Sequence, residues 1–491
     1  MDKHVEEMDH FTDSVALESI EGLTDITNGA YFPYTGIIKI DCKFVEHFEE
    51  LQNHYYKLSS KEIVEASKNK TNPTIPDTFL HEQRHSLHTA GSTLGSIFYL
   101  ASNFQLQIMD QIKPLLLKEK PLGKIRQEYG SKFRKIQKIM ELFYKTNKEN
   151  TSNKIKKYIP SIVWMSKKFR EMYLNWGGKK LDSDILLKNL ENILNAGADR
   201  TFHINTAQVM ESYTKLCIDF VEKGFGKIFK NLIIEDHRLI DNPEATFLSN
   251  EFLANSIKNH DESPLEILEK ELGWIIKKRG YKTFFFTCMA VYELSLMTRF
   301  HPLLLFEKSE ITLEEMFVPL RFYRLINFFN ESKTTIFDYC DAYTEQWVGF
   351  NKICEKLGWM TFSKCLLSIY YMYSSEPYLK TYYGETAIKI IWRKTRYKTH
   401  PVKNLPTLSV FYDKIVKFHP KKGCSEYNFE KELLAKEAVF NTIKRYFLVE
   451  LFSNKVPADF ERTEEILNHV NSGQLDVESF LKESGIGNYL S

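Results

Sequence analysis

The chain has 491 residues, a formal net charge of +2, and 43% hydrophobic and 26% charged residues. This excludes a disordered polyelectrolyte, which needs low hydrophobicity and high net charge, and a chain that is basic or acidic as a whole. Gly (21) and Pro (15) are sparse for this length, which favours long helices over many short strands, so the expected fold class is mainly α, α+β at most.

In chain order, residues 1–30 are polar and lack the apolar run of a secretory signal. The seven Cys are scattered, with no CxxC pair, as in reduced thiols of a cytoplasmic protein. Gly36–Cys42 is short and rich in isoleucine, and is the one strand expected. Helical patterning follows from about Cys42 to Lys68. The breakers of Lys68–Asp77 then form a loop, with Asp77 or Thr78 able to cap the next helix. That helix carries Leu80, Leu87 and Leu94 at seven-residue spacing, then Ile97, Phe98 and Ala101, and should run for about six turns.

From Gln111 to Arg170 there are 17 Lys or Arg against 4 Glu. Phe133, Ile136, Ile139, Met140 and Phe143 recur within it at helical spacing. The stretch reads as a solvated basic helix face, or as a surface for phosphate, nucleic acid or an acidic partner. Further helices are expected at 184–196, 205–223, 264–279, 283–300, 312–330, 353–374 and 430–452. The most apolar long stretch, Thr283–Phe306, carries Glu293, Arg299 and His301, so it reads as a core helix and no membrane partner is expected. Residues 1–455 are taken as one helical region and 456–491 as a polar helical tail.

The chemistry lies in His81-Glu82-Gln83-Arg84-His85, an HExxH match. Residues i and i+4 of a helix share a face, so both imidazoles can reach one ion. Zn²⁺ lowers the pKa of a bound water to near 7 in the hydrolases that use it. Glu82, next to His81, is then the candidate general base. His88 lies on the same stripe. The small residues Ala90, Gly91, Ser92, Gly95 and Ser96 leave one side of this helix bare, as close approach of another backbone requires.

The extended pattern that would supply a third histidine fails, because 88 is His and 91 is Gly. A Glu from a later helix is the main alternative. Glu211 fits, with Thr206, Ala207, Met210, Thr214, Cys217 and Ile218 facing inward beside it; Glu293 is its rival. An ionised carboxylate in such a setting is costly unless paired or bound to metal. Arg84, His88, His203 and Tyr213 are candidates for supporting roles or for stabilising an oxyanion.

Thr78–Gly95 resembles a group of bacterial HExxH proteins of uncertain function, similar in motif arrangement to gluzincin metallopeptidases. The matching positions are His81, Glu82, Arg84 and His85, then Glu211 within Val209–Thr214; Thr214 departs from the small apolar residue usual there. The resemblance covers roughly 40 residues. It implies a zinc site and a hydrolase, and it names no substrate. The reading is a zinc-dependent metallopeptidase acting on a protein or peptide, with His81, His85 and Glu211 on Zn²⁺ and Glu82 as base. The basic stretch could make such a peptidase respond to nucleic acid or an acidic partner, as a stress or phage-defence effector would. The alternative is a helical scaffold whose HExxH is structural and whose basic surface holds an acidic partner or nucleic acid. A ferritin-like di-iron reading of Glu82-x-x-His85 needs a second ExxH on a facing helix, and only Glu7–His10 in the polar N-terminal arm offers one.

Overall fold

A computed structural model describes residues 29–32, 36–40, 75–116, 122–145, 204–222, 263–301, 303–304, 312–341, 346–375, 382–395, 407–411, 414–419 and 423–426, with isolated positions at 164, 167, 168, 171, 174, 448 and 452. The expected helices at 42–68, 184–196 and 430–452, the tail 456–491 and the Glu7–His10 pair lie outside these stretches or touch them only at isolated positions. So does His203.

The described chain is mainly α. In order it runs β1 (Gly29–Phe32), β2 (Ile37–Ile40), α1 (Ile75–Ala90), α2 (Thr93–Leu116), α3 (Leu122–Lys145), α4 (Thr206–Glu222), α5 (Pro264–Leu272), α6 (Trp274–Leu296), α7 (Leu313–Met316), α8 (Val318–Ser332), a 3₁₀ turn (Ile336–Asp338), α9 (Gln346–Lys356), α10 (Phe362–Ser375), α11 (Tyr382–Thr395), then β3 (Thr407–Phe411), β4 (Lys414–His419) and β5 (Gly423–Glu426). The strands form one small sheet in the order β1-β2-β3-β4-β5. β2 and β3 pair in parallel, Ile37 opposite Leu408, and the other neighbours are antiparallel. β2 lies within the Gly36–Cys42 stretch. The sheet joins the two ends of the described chain, and its β1–β2 edge rests on α1.

The second half of α6 is the hub. Phe284 to Leu296 is buried without interruption, as expected of a helix that is hydrophobic all round. α4, α5, α8 and α9 pack around it. Gly280 holds φ 81°, ψ 166° and kinks this helix, a conformation essentially closed to residues with a side chain.

Several expected helices are broken. The six-turn helix through Leu80 and Leu94 ends at Ala90, and a new one starts at Thr93. Ser92 makes the break: its hydroxyl accepts from the Gly95 N–H (3.1 Å) and donates to the Thr89 carbonyl (3.0 Å), an N-cap in the middle of an amphipathic pattern. A Cβ on Gly95 would stand 1.7 Å from the Thr89 carbonyl oxygen, so this glycine serves the chain's own reversal rather than a neighbouring helix. Gly91 is the one that admits a neighbour, Ile390 and Lys394 of α11. The expected helix at 312–330 divides at Phe317, and 353–374 divides at Gly358, which has φ +69°. Amphipathic spacing persists across such short breaks, so periodicity alone does not reveal them.

A buried ionic node fixes the end of α6. Arg299 and Glu315 pair at 3.3 Å with both side chains at 1% exposure. Glu315 also accepts from the Met360 N–H at 3.1 Å. Arg321 stacks on Trp359 at 4.0 Å and donates to the Leu294 carbonyl. Among the described residues no helix is long and apolar enough to cross a membrane.

Candidate metal centre

α1 and α4 meet along two stripes that run in the same direction. His81, His85 and His88 lie at i, i+4 and i+7 on α1; Glu211, Thr214 and Cys217 lie at i, i+3 and i+6 on α4. Both spacings keep a stripe on one helix face. The Glu211 carboxylate bridges His81 Nε2 and His85 Nε2, each at 2.9 Å. Thr214 Oγ1 lies 3.2 Å from His85 Nδ1 and 3.3 Å from His88 Nδ1. Cys217 Sγ lies 3.7 Å from His88 Nε2. Of the inward residues expected beside Glu211, Thr206, Met210, Thr214 and Cys217 are buried, and Ala207 is half-buried.

His81, His85 and Glu211 thus bring three ligand-type atoms together, the one such group among the described residues. The two Nε2 atoms are 3.1 Å apart. Both cannot carry protons at that distance without repulsion, and a cation between them removes the conflict. Two imidazole nitrogens and a carboxylate oxygen are donors that zinc takes. Tetrahedral bonds of about 2.0–2.1 Å set ligand atoms roughly 3.3 Å apart, so the three need open by only a few tenths of an ångström. The donor set therefore fits. The cluster faces solvent on one side: the Glu211 side chain is 45% exposed, His81 25% and His85 14%.

Charges within the cluster are strongly coupled. Burial disfavours a proton on His81, but Glu211, through charge and hydrogen bond, outweighs it and lifts the His81 pKa to about 9. Burial likewise opposes ionisation of Glu211, yet His85 and His81 hold its carboxyl well below the usual range.

Glu82 is 8% exposed. Burial raises its pKa; His85 and His81 pull it back, Glu211 adds to the rise, and a backbone hydrogen bond from Tyr31 in β1 opposes it. The β1–β2 edge of the sheet packs on the helix that carries this general-base candidate.

The other sequence candidates form a buried layer behind the cluster. His88 stacks on Tyr213, ring centroids 3.7 Å apart. Burial, then the Lys394 charge, pushes its pKa well below 6.5 and keeps it neutral. Tyr213 donates its hydroxyl to Glu293 Oε2 at 2.9 Å, so that group faces the protein interior rather than the open side where an oxyanion would form. Glu293, the rival third ligand, pairs instead with Lys394 Nζ, which also donates to the Gly91 carbonyl at 2.9 Å. Arg84 is fully buried, and its charge is felt by His88, Tyr213 and Cys217.

Lys394, 183 positions beyond Glu211 in the sequence, carried no sequence signal, and neither did Tyr31. Thr214 did carry one: its i, i+3 spacing from Glu211 puts a hydroxyl on the same helix face as that carboxylate. Comparison with protein-family models, curated proteins and solved structures finds no match to this chain.

Proposed function

We propose that the chain is a zinc-dependent hydrolase, a metallopeptidase cleaving peptide or amide bonds, with His81, His85 and Glu211 as the metal ligands. One observation carries this reading: His81 Nε2, His85 Nε2 and the Glu211 carboxylate converge within 2.9–3.1 Å of one another beside a buried glutamate. Zinc, when bound, supplies Lewis-acid polarisation and a lowered water pKa. Glu82 takes a proton from the attacking water as its oxygen joins the carbonyl carbon. It then hands that proton to the leaving nitrogen as the C–N bond breaks, giving a carboxylate and an amine. A carboxyl raised by burial suits both halves of that exchange, because its pKa lies closer to the working pH.

The alternative, a helical scaffold, draws support from the His81–Glu211 ion pair, which satisfies both groups without an ion. Two variants separate the readings. His81→Ala should abolish zinc uptake by the purified protein, and an unchanged metal content would sink the site. Glu82→Gln should keep the zinc and lose turnover, read as the disappearance of wild-type cleavage products from a proteome-wide peptide comparison in cells. Identical cleavage profiles for wild type and Glu82→Gln would favour the scaffold.

A further inference from the structure

Thr214 is the position at which the α4 stripe departs from the resemblance. A threonine hydroxyl has one proton to donate and lone pairs to accept. Here it lies between two imidazole Nδ1 atoms, His85 at 3.2 Å and His88 at 3.3 Å. It can donate to only one of them and must accept from the other, so the chain of hydrogen bonds has a direction. Run one way, His85 Nδ1–H donates to Thr214 Oγ1, Thr214 donates to His88 Nδ1, and His88 Nε2–H donates to Cys217 Sγ. Run the other way, His88 carries its proton on Nδ1 and a neutral His85 carries its own on Nε2. Only the first leaves the His85 Nε2 lone pair free to bind a metal.

Resting on the metal-centre reading, we infer that Thr214 and His88 are positioning residues that fix His85 as the Nδ1–H tautomer, with Nε2 presented to the metal. This explains why a third histidine of the α1 stripe sits close to the cluster without joining it. Thr214 is fully buried and His88 is 5% exposed, so water does not compete for the bond between them. The His88 ring is held in plane by Tyr213, at an interplanar angle of 9°. Tyr213 is held by Glu293, and Glu293 by Lys394 from α11. A ligand's orientation is thereby tied to three elements outside its own helix. Partners that hold the far nitrogen of a ligating histidine raise its basicity and set its ring angle, and their loss typically costs 10–100-fold in metal affinity.

The test uses the full chain, with zinc as the probe. Thr214→Val keeps the shape and removes the hydroxyl; Thr214→Ser keeps the hydroxyl. Zinc affinity, measured by chelator competition, should fall 10–100-fold in Thr214→Val and stay close to wild type in Thr214→Ser. In the zinc-loaded wild type, imidazole ¹⁵N spectra should show His85 protonated on Nδ1 and His88 on Nε2. A merely structural threonine would give equal losses in both variants and no ordered tautomers. Equal zinc affinity for wild type and Thr214→Val, or His88 protonated on Nδ1 in the loaded protein, overturns the inference and leaves the metal centre intact. A wild type that takes up no zinc overturns the metal centre itself.

Discussion

Replacing Lys394 by Met should destabilise the protein far more than a lysine substitution usually does. Lys394 Nζ bonds the Glu293 carboxylate and the Gly91 carbonyl, and the two charged side chains are only 13% and 8% exposed. Methionine keeps the aliphatic stem, so little packing is lost. What remains is a buried Glu293 with Tyr213 as its one other hydrogen-bonding partner among the described residues. Breaking one side of a buried ion pair costs about 3–5 kcal/mol, because the stranded charge keeps its desolvation penalty. The Gly91 carbonyl also loses its lysine donor, adding about 1 kcal/mol. The sum is about 4–6 kcal/mol, a large part of the stability of an ordinary domain. Urea unfolding followed by tryptophan fluorescence measures it, with the slope checked for constancy so that midpoints compare like with like. Pairing Lys394→Met with Glu293→Gln should recover much of the loss, with a coupling energy of at least about 2 kcal/mol. A single-variant loss below about 1 kcal/mol, the range of solvent-exposed pairs, would refute the claim that this pair is desolvated.

His301 is fully buried, and burial lowers its pKa to about 3, so the folded state binds its proton less readily than the unfolded chain at 6.5. Its contribution to stability is therefore complete above pH 6.5 and is lost as pH falls from 6.5 toward 3, amounting to about 2 kcal/mol by pH 5. His301→Asn, whose side-chain oxygen can accept the Leu303 N–H now held by Nδ1, should flatten that part of the stability curve; an unchanged acid limb would exclude His301 as its source. Gly95→Ala drives a Cβ into the Thr89 carbonyl and should cost about 1–3 kcal/mol or more. Gly123→Ala, with nothing within 4 Å of its Cβ, should be neutral or stabilising by up to about 1 kcal/mol; equal thermal shifts for the two would mean that the α1–α2 reversal is not the constraint.

What the sequence revealed and what it hid divide along a physical line. His81, Glu82, His85 and the inward face of α4 were legible because each depends on spacing within one helix, and a period of 3.6 residues is written in the chain. Choosing Glu211 over Glu293 rested on the same kind of pattern, and the structure separates them by partner: Glu211 meets the imidazoles, while Glu293 meets Lys394. Lys394 and the Tyr31 backbone were illegible because nothing local in the chain records which distant element packs against α1. The breaks at Ser92, Phe317 and Gly358 were hidden for the opposite reason: an amphipathic rhythm continues through interruptions of one to five residues.

Thr214 shows how a departure from an expected pattern can gain meaning only from a neighbour's geometry. Taken alone, a hydroxyl in place of a small apolar residue weakens a ligand assignment, since a buried polar group without partners is costly. With His85 Nδ1 at 3.2 Å and His88 Nδ1 at 3.3 Å, the same hydroxyl is satisfied twice, and an apolar residue would leave two imidazole nitrogens, one of them fully enclosed, without it. Its polarity is thus a consequence of His88, and His88 is the third histidine that the HExxH spacing leaves unexplained. The two departures from the simple motif account for each other: the hydroxyl that Thr214 brings to the α4 face is the group that lies between His85 and His88 where α1 packs on α4.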